Sequence, residues 1–321
     1  MLTYQDIQDA RPVVSQYLPQ TLTRKWPLLA QRLGCDFYLK HENHQPTGAF
    51  KVRGGVYLLS QLGHEQCRQG IIGCTTGNHG QSLAYAAQIF DVHCVLVVPE
   101  KNNPDKCAAM RALGAELIES GSDFDDAKAC CESLAAKQGY KYVHSANEPH
   151  LIAGVGTMAD EIFDAVEHVD VLLVPIGLGS GVCGSGIVAA ARSPHTRVVG
   201  VQSVGAPAVA ESWSTGKTVA YDQLDTFAEG LATRAPAEMT MSLMRQTMHD
   251  VILVSDDEIR QSMSWILSDT HNLPEPAGAA TTAAAWKMRD QLAGKTVVGV
   301  LSGGNCDLRV LRDILPEQSD D

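Results

Sequence analysis

Basic residues are scarce in this 321-residue chain: 25 Lys and Arg stand against 37 Asp and Glu, a formal net charge of −12. Nucleic acid and anionic membrane surfaces both select for positive charge, so neither is expected as a partner. Aromatic residues make up 6% and charged residues 19%, yet 45% of the chain is hydrophobic, which excludes disorder as its overall state. At ~100–200 residues per domain the length allows two or three domains. An export signal is also lacking, because the start, Met1-Leu-Thr-Tyr-Gln-Asp6, carries an acid where Lys or Arg and an apolar stretch belong. A cytoplasmic protein is expected. Val171 to Ala191 is uncharged and long enough to raise a transmembrane question, but Pro175 and Gly177, Gly179, Gly181, Gly184 and Gly186 interrupt it. It reads as a buried strand, a glycine loop and a helix start.

Several chemical signatures are missing too. Nine cysteines contain no Cys-x-x-Cys pair, and their odd number and apolar settings read as reduced core residues. His41-Glu-Asn-His44 is one residue short of the H-E-x-x-H zinc spacing, and no G-x-S-x-G elbow occurs. No metal and no serine nucleophile are assigned.

What is present is a recurrence of short apolar runs separated by amphipathic stretches, the pattern of βαβ units around mostly parallel sheets. Strands are expected at Ile71–Cys74, Cys94–Val98, Glu116–Ile118, Tyr142–His144, Val169–Ile176, Arg197–Gln202, Val251–Val254 and Thr296–Leu301. Helices are expected at Gly80–Gln88, Pro104–Leu113, Asp123–Lys137, Thr157–Val166, Asp256–Leu267 and Ala279–Gln291. The class is α/β. No repeat or linker divides the chain, so a second domain is expected as an insertion: a small α/β domain over residues 62–147, within a large doubly wound domain made of 1–61 and 148–321.

Four segments carry chemistry. In Gln45-Pro-Thr-Gly-Ala-Phe50-Lys51-Val-Arg-Gly-Gly55 a lysine sits among apolar and glycine neighbours. Most lysines are solvated surface charges, but one held at a cleft floor offers an amine for imine chemistry. Cys74-Thr75-Thr76-Gly77-Asn78-His79-Gly80 joins an apolar run to a helical one. It is either an ordinary strand-to-helix turn or a set of N–H groups and hydroxyls aimed at a carboxylate, with the Asn78 amide suited to a phenolic oxygen. Gly177-Leu178-Gly179-Ser180-Gly181 begins a glycine loop whose Gly179, Gly181 and Gly184 match G-x-G-x-x-G. The following strand ends in Gln202-Ser203 and lacks the acid that holds a ribose, which favours a single phosphate cup over a dinucleotide site. Last, Ser302-Gly-Gly-Asn follows an apolar run, as a plain turn or as a hydroxyl offered to a ring nitrogen.

Taken in order with Glu275-Pro-Ala-Gly, these motifs resemble the serine/threonine dehydratase and serine racemase family of fold-type II pyridoxal phosphate enzymes, whose fold is like that of the tryptophan synthase β subunit. The resemblance spans nearly the whole chain. It implies that Lys51 bonds the cofactor and moves the proton at Cα, with Phe50 beside the ring. It further implies Asn78 on the ring hydroxyl, Gly177, Leu178, Gly179, Ser180 and Gly181 around the phosphate, Ser302 on the ring nitrogen and Glu275 near the cofactor. Thr75, Thr76, Gly77, Asn78 and His79 fall where that family binds substrate. The implied reaction is α,β-elimination from a β-hydroxy amino acid such as L-threonine or L-serine, giving a 2-oxo acid and ammonia, in a homodimer.

Three departures keep alternatives open. Leu178 and Ser180 replace glycines usual in the dehydratases and resemble the cysteine synthase branch, so β-replacement stays open. Thr76 stands where racemases place a serine acting on the opposite face of Cα and many dehydratases an alanine, which leaves Thr76 as a second catalytic candidate and racemisation open. The racemase branch's divalent metal site falls at Gln202, Ala206 and Pro207, where acids are expected at the first and last positions. Phenylserine and hydroxyaspartate stay open as substrates; Ala228 to Pro236, with Arg234, is expected near the pocket for the β-substituent.

Overall fold

The structure, a computed structural model, describes residues Leu2–Leu315. Among the described residues there are ten strands: β1 (Thr23–Lys25), β2 (Asp36–His41), β3 (Ile71–Cys74), β4 (Cys94–Val98), β5 (Glu116–Glu119), β6 (Lys141–Tyr142), β7 (Val171–Pro175), β8 (Arg197–Ser203), β9 (Asp250–Val254) and β10 (Thr296–Leu301). The first seven helices are α1 (Tyr4–Tyr17), α2 (Pro27–Leu33), α3 (Lys51–Gln61), α4 (Asn78–Phe90), α5 (Pro104–Ala112), α6 (Phe124–Gln138) and α7 (Pro149–Ala165). After these come α8 (Ser180–Arg192), α9 (Ala208–Thr215), α10 (Glu238–Thr247), α11 (Asp256–Thr270), α12 (Pro276–Lys287), α13 (Arg289–Leu292) and α14 (Leu308–Ile314).

The chain forms two compact units. One holds the chain up to Pro19 together with Gln45–Thr157; the other holds Gln20–His44 and the chain from Met158 onward. In the first unit four strands pair in the order β5-β4-β3-β6, all parallel. Ile72, Cys74, Val95 and Val97 bury one face against Ala127 and Cys131 of α6. Ile71 and Leu96, on the opposite face by strand alternation, are equally buried. Two-sided burial is why these strands read as unbroken apolar runs.

In the second unit six strands run β1-β2-β10-β7-β8-β9, parallel except for the antiparallel edge strand β1. Val171, Leu173, Val199, Val201 and Val297 pack with Ala277 to Ala285 of α12. The alternate residues Leu172, Val174, Val198 and Val298 are also fully buried, so this sheet too is covered on both faces. The small side chains of α12 let it lie close to the strands, and Thr281 donates to the Val300 carbonyl at 3.2 Å.

Some expectations need correction. β1 and β2 lie where no strand is expected: β1 is a polar edge, and β2 contains Asp36, Lys40 and His41. The helix expected from Thr157 begins at Pro149 instead. Gly154 and Gly156 obscure its first half, and both are contact points: a Cβ on Gly154 would lie 2.5 Å from the Arg53 carbonyl oxygen, and one on Gly156 2.6 Å from Ile7. The long helix expected at Ala279–Gln291 is α12 followed by the short α13.

Candidate active site

In the first unit, Lys51 occupies the first position of α3, half-buried, with its Nζ 5.6 Å from the centroid of the Phe50 ring, within cation–π range. No side-chain cap starts this helix. Its start is held from α4: Ser82 Oγ donates to the Lys51 carbonyl at 2.6 Å, and Gly55 lets the helices meet, since a Cβ there would stand 2.4 Å from Ser82 Oγ. Arg53 is fully buried and donates to Thr157 Oγ1 at 3.2 Å.

The turn between β3 and α4 is built around Thr75. Its Oγ1 accepts from the Gly77 and Gly80 N–H groups, both at 3.0 Å. The Thr75 hydroxyl thus shapes the turn. Burial alternates along it: Thr75, Gly77 and His79 are buried, while Thr76 and Asn78 remain partly exposed. From α5 and the loop before it, Asn102 Nδ2 donates to the Thr76 carbonyl at 3.2 Å, and the Lys106 stem lies against Gly77, where a Cβ would be 3.0 Å from Lys106 Cδ. Burial, then the charges of Lys51 and His144, push the His79 pKa down to about 3, so its ring is neutral.

The second unit gathers three motifs distant in sequence. Gly179, in the left-handed region at φ 99°, opens α8, and a Cβ there would lie 3.1 Å from Met244. Thr240 on α10 donates to the Leu178 carbonyl at 2.6 Å. A Cβ on Gly177 would stand 2.5 Å from the Gly230 carbonyl oxygen, one on Gly230 2.7 Å from Ala277 Cβ, and one on Gly278 2.5 Å from the Gly303 carbonyl oxygen. Glu275 N–H donates to that same Gly303 carbonyl at 2.9 Å. The glycine loop, the Glu275 segment and the Ser302 segment therefore adjoin one another through close contacts at glycines and form one cradle. Glu275 and Ser302 are buried within it, at 7% and 3% exposure.

A phosphate monoester fits this cradle. Residues 176–182 contain no acid, Gly177 stands where a Cβ would collide, Gly179 has a left-handed backbone, and the N-terminus of a 13-residue helix points its N–H groups outward. Three of the motifs, the Thr75 turn, the glycine loop and the Ser302 segment, follow the carboxyl ends of β3, β7 and β10, where open α/β sheets place their ligands. The residues that sequence reading misses are the braces Ser82, Thr240 and Gly230. Gly230 lies in the Ala228 to Pro236 stretch expected at the β-substituent pocket and packs against the glycine loop. Gln202 Oε1 accepts from the Ala210 N–H at 3.0 Å. Among the described residues no group of three or more His, Cys, Asp and Glu is placed to hold a metal, and no helix is long and apolar enough to cross a membrane. A cavity of about 280 Å³ lined by Ala84, Gln88, Asp91 and Arg111 lies at the opposite end of α4 from Asn78.

Comparison with known proteins places the chain in a family. L-threonine ammonia-lyase of Thermotoga maritima is 32% identical over 315 residues, 98% of this chain and 78% of that protein. L-threo-3-hydroxyaspartate ammonia-lyase of Saccharomyces cerevisiae is 32% identical over 318 residues, covering 99% of this chain and 98% of that one. The processed form of threonine deaminase isoform 2 from Solanum lycopersicum superposes with a TM-score of 0.92 at 29% identity, over 97% of this chain and 86% of that chain. Residues 14–303 match the family described as pyridoxal-phosphate dependent enzyme, and the chain belongs to that family.

Proposed function

We propose that this protein is a pyridoxal phosphate dependent dehydratase that converts a β-hydroxy amino acid to a 2-oxo acid and ammonia. One observation carries the reading: Lys51 opens α3 with its main chain gripped by Ser82, on the helix that Asn78 opens. Lys51 would hold the cofactor through its amine, and that amine would carry the substrate's Cα proton. The bound cofactor supplies the electron sink for the charge developing there. Phe50 packs beside the ring, Asn78 bonds its hydroxyl oxygen, and Gly177, Leu178, Gly179, Ser180 and Gly181 surround the phosphate. Ser302 meets the ring nitrogen, with Glu275 close by. A neutral serine cannot enforce ring protonation as a carboxylate would, which favours elimination over transamination. The turn from Thr75 to His79 receives the substrate carboxylate through backbone N–H groups, and Thr76 offers a hydroxyl at the partly exposed side of that turn.

L-Threonine is the leading substrate, supported by the names of the relatives, with L-serine beside it as the smaller β-hydroxy amino acid. L-threo-3-hydroxyaspartate is a second reading, supported by the Saccharomyces relative, which matches over nearly the full length of both chains. The same proposal takes the protein as a cytoplasmic homodimer. It also takes residues 62–147, which contain β3 to β6, as a small domain inserted between 1–61 and 148–321. Release of 2-oxo acid and ammonia from L-serine, L-threonine and L-threo-3-hydroxyaspartate by protein loaded with pyridoxal phosphate tests the reaction. Turnover of one of them is expected. Silence on all three, with α-deuterium incorporation from D₂O, would replace elimination by racemisation.

A further inference from the structure

Three successive carbons of the Lys106 side chain, Cγ, Cδ and Cε, lie 3.7, 3.0 and 3.6 Å from where a Cβ on Gly77 would stand. The stem therefore lies flat across the middle of the turn that opens α4, and a side chain at position 77 would push it away. The ammonium is one C–N bond beyond Cε, which keeps it within about 5 Å of the same point. Nothing in α5 asks for a cation here. Lys106 is the third residue of that helix, at the end whose dipole disfavours positive charge. The helix start is already capped by Asn103, whose Oδ1 accepts the Asp105 and Lys106 N–H groups at 2.9 and 3.2 Å. Asn102 in turn donates to the Thr76 carbonyl at 3.2 Å, so the base of Lys106 is tied to the turn it covers.

That turn keeps donors in reserve. Thr75 Oγ1 takes the Gly77 and Gly80 N–H groups, and the Gly77 carbonyl takes the Gln81 N–H at 3.0 Å. Among the described residues the Thr76 and His79 N–H groups have no hydrogen-bond partner, and Thr76 is only partly buried. An ammonium, open main-chain donors and the positive end of the 13-residue helix α4 thus meet at one turn of a chain whose net charge is −12. A carboxylate matches all three, offering one negative charge and two acceptor oxygens.

We propose that Lys106 is a substrate-binding residue whose ammonium, together with the N–H groups of the Thr76–His79 turn, holds the α-carboxylate of the amino acid. The proposal rests on the reading of this turn as the carboxylate site. The α-carboxylate keeps its charge from substrate to product, so the ammonium stabilises ground state and transition state alike. Its loss is felt in KM and not in kcat.

L-Alanine and L-alaninamide separate charge recognition from a structural role, because they share an amine and a side chain, differ at the carboxylate, and have no β-hydroxyl to lose. The concentration of each that half-shifts the visible band of the pyridoxal phosphate loaded protein measures binding without turnover. Lys106→Met keeps a stem of similar shape over Gly77 and removes the charge. It should raise the half-saturating concentration of L-alanine about tenfold relative to that of L-alaninamide. An equal change in both, or no change in either, overturns the proposal. Should the methionine variant not fold, the same comparison with Lys106→Gln decides. With the β-hydroxy amino acid that the wild type turns over, Lys106→Met should raise KM about tenfold and leave kcat within roughly twofold; a fall in kcat at unchanged KM overturns the proposal. The two layers fail separately. A wild type that releases no 2-oxo acid from any β-hydroxy amino acid removes the reading of the reaction, whereas an active wild type with an unaltered alanine to alaninamide ratio in the variant removes this inference alone.

Discussion

Ser82 donates its hydroxyl to the main-chain carbonyl of Lys51 at 2.6 Å, a bond that ties the uncapped first turn of α3 to α4. Ser82→Ala should cost about 1 kcal/mol of stability and loosen the first turn of α3. Paired measurements of the denaturation midpoint and of pyridoxal phosphate affinity check this. Both should fall, and unchanged affinity would mean that Lys51 does not depend on the brace.

The glycine cradle makes a sharper prediction. Gly177→Ala places a Cβ 2.5 Å from the Gly230 carbonyl oxygen, so the loop must shift, and cofactor affinity should drop by at least tenfold, about 1.4 kcal/mol. Gly34→Ala is the control: its backbone lies in the left-handed region at φ 69° with open space around it, so the substitution should cost stability and leave affinity alone. Fluorescence titration of the two variants distinguishes them.

Acid should destabilise the fold before its carboxylates protonate. Burial, followed by the charge of His44, pushes the His41 pKa down to about 4, and His79 falls to about 3. Both rings are neutral in the folded chain, whereas the unfolded chain protonates them below pH ~6.5. Between these values the unfolded state binds more protons, so stability is full above pH ~6.5 and falls as the pH drops, by up to about 1.4 kcal/mol per pH unit for each ring. His41→Asn should flatten the slope of urea-unfolding free energy against pH from 6.5 to 4. An unaltered slope would show that His41 titrates normally.

Lys40 is a buried charge that the sequence pattern does not flag. Its Nζ donates to Glu161 Oε2 at 2.5 Å and to the Thr21 carbonyl at 2.9 Å, while Thr21 Oγ1 donates to Glu42 Oε1 at 2.6 Å. Lys40→Met should cost about 3–5 kcal/mol, because it leaves two buried carboxylates without the ammonium. A midpoint shift equivalent to less than about 1 kcal/mol would contradict this.

The same ion cluster explains why β2 is not legible from sequence. Lys40 and His41 end the strand with polar letters that read as exposed, yet both are fully buried, because partners remote in sequence satisfy them. β3, β4 and β10, buried on both faces by apolar residues, are read to the residue. α3 escapes notice because it opens on Lys51 without a cap and carries Gly54 and Gly55, both reserved for helix contacts. Within the site, the motifs show which residues matter. What joins them, Gly230 between Gly177 and Ala277 or Ser82 beneath Lys51, is tertiary and leaves no local pattern.

The central claim is that Lys51 carries the cofactor, and borohydride reduction of the pyridoxal phosphate loaded protein followed by peptide mass mapping tests it most directly. The account predicts one pyridoxyl phosphate adduct, on Lys51, and none in Lys51→Ala together with loss of 2-oxo acid release. An adduct on another lysine, or undiminished turnover without Lys51, would contradict it.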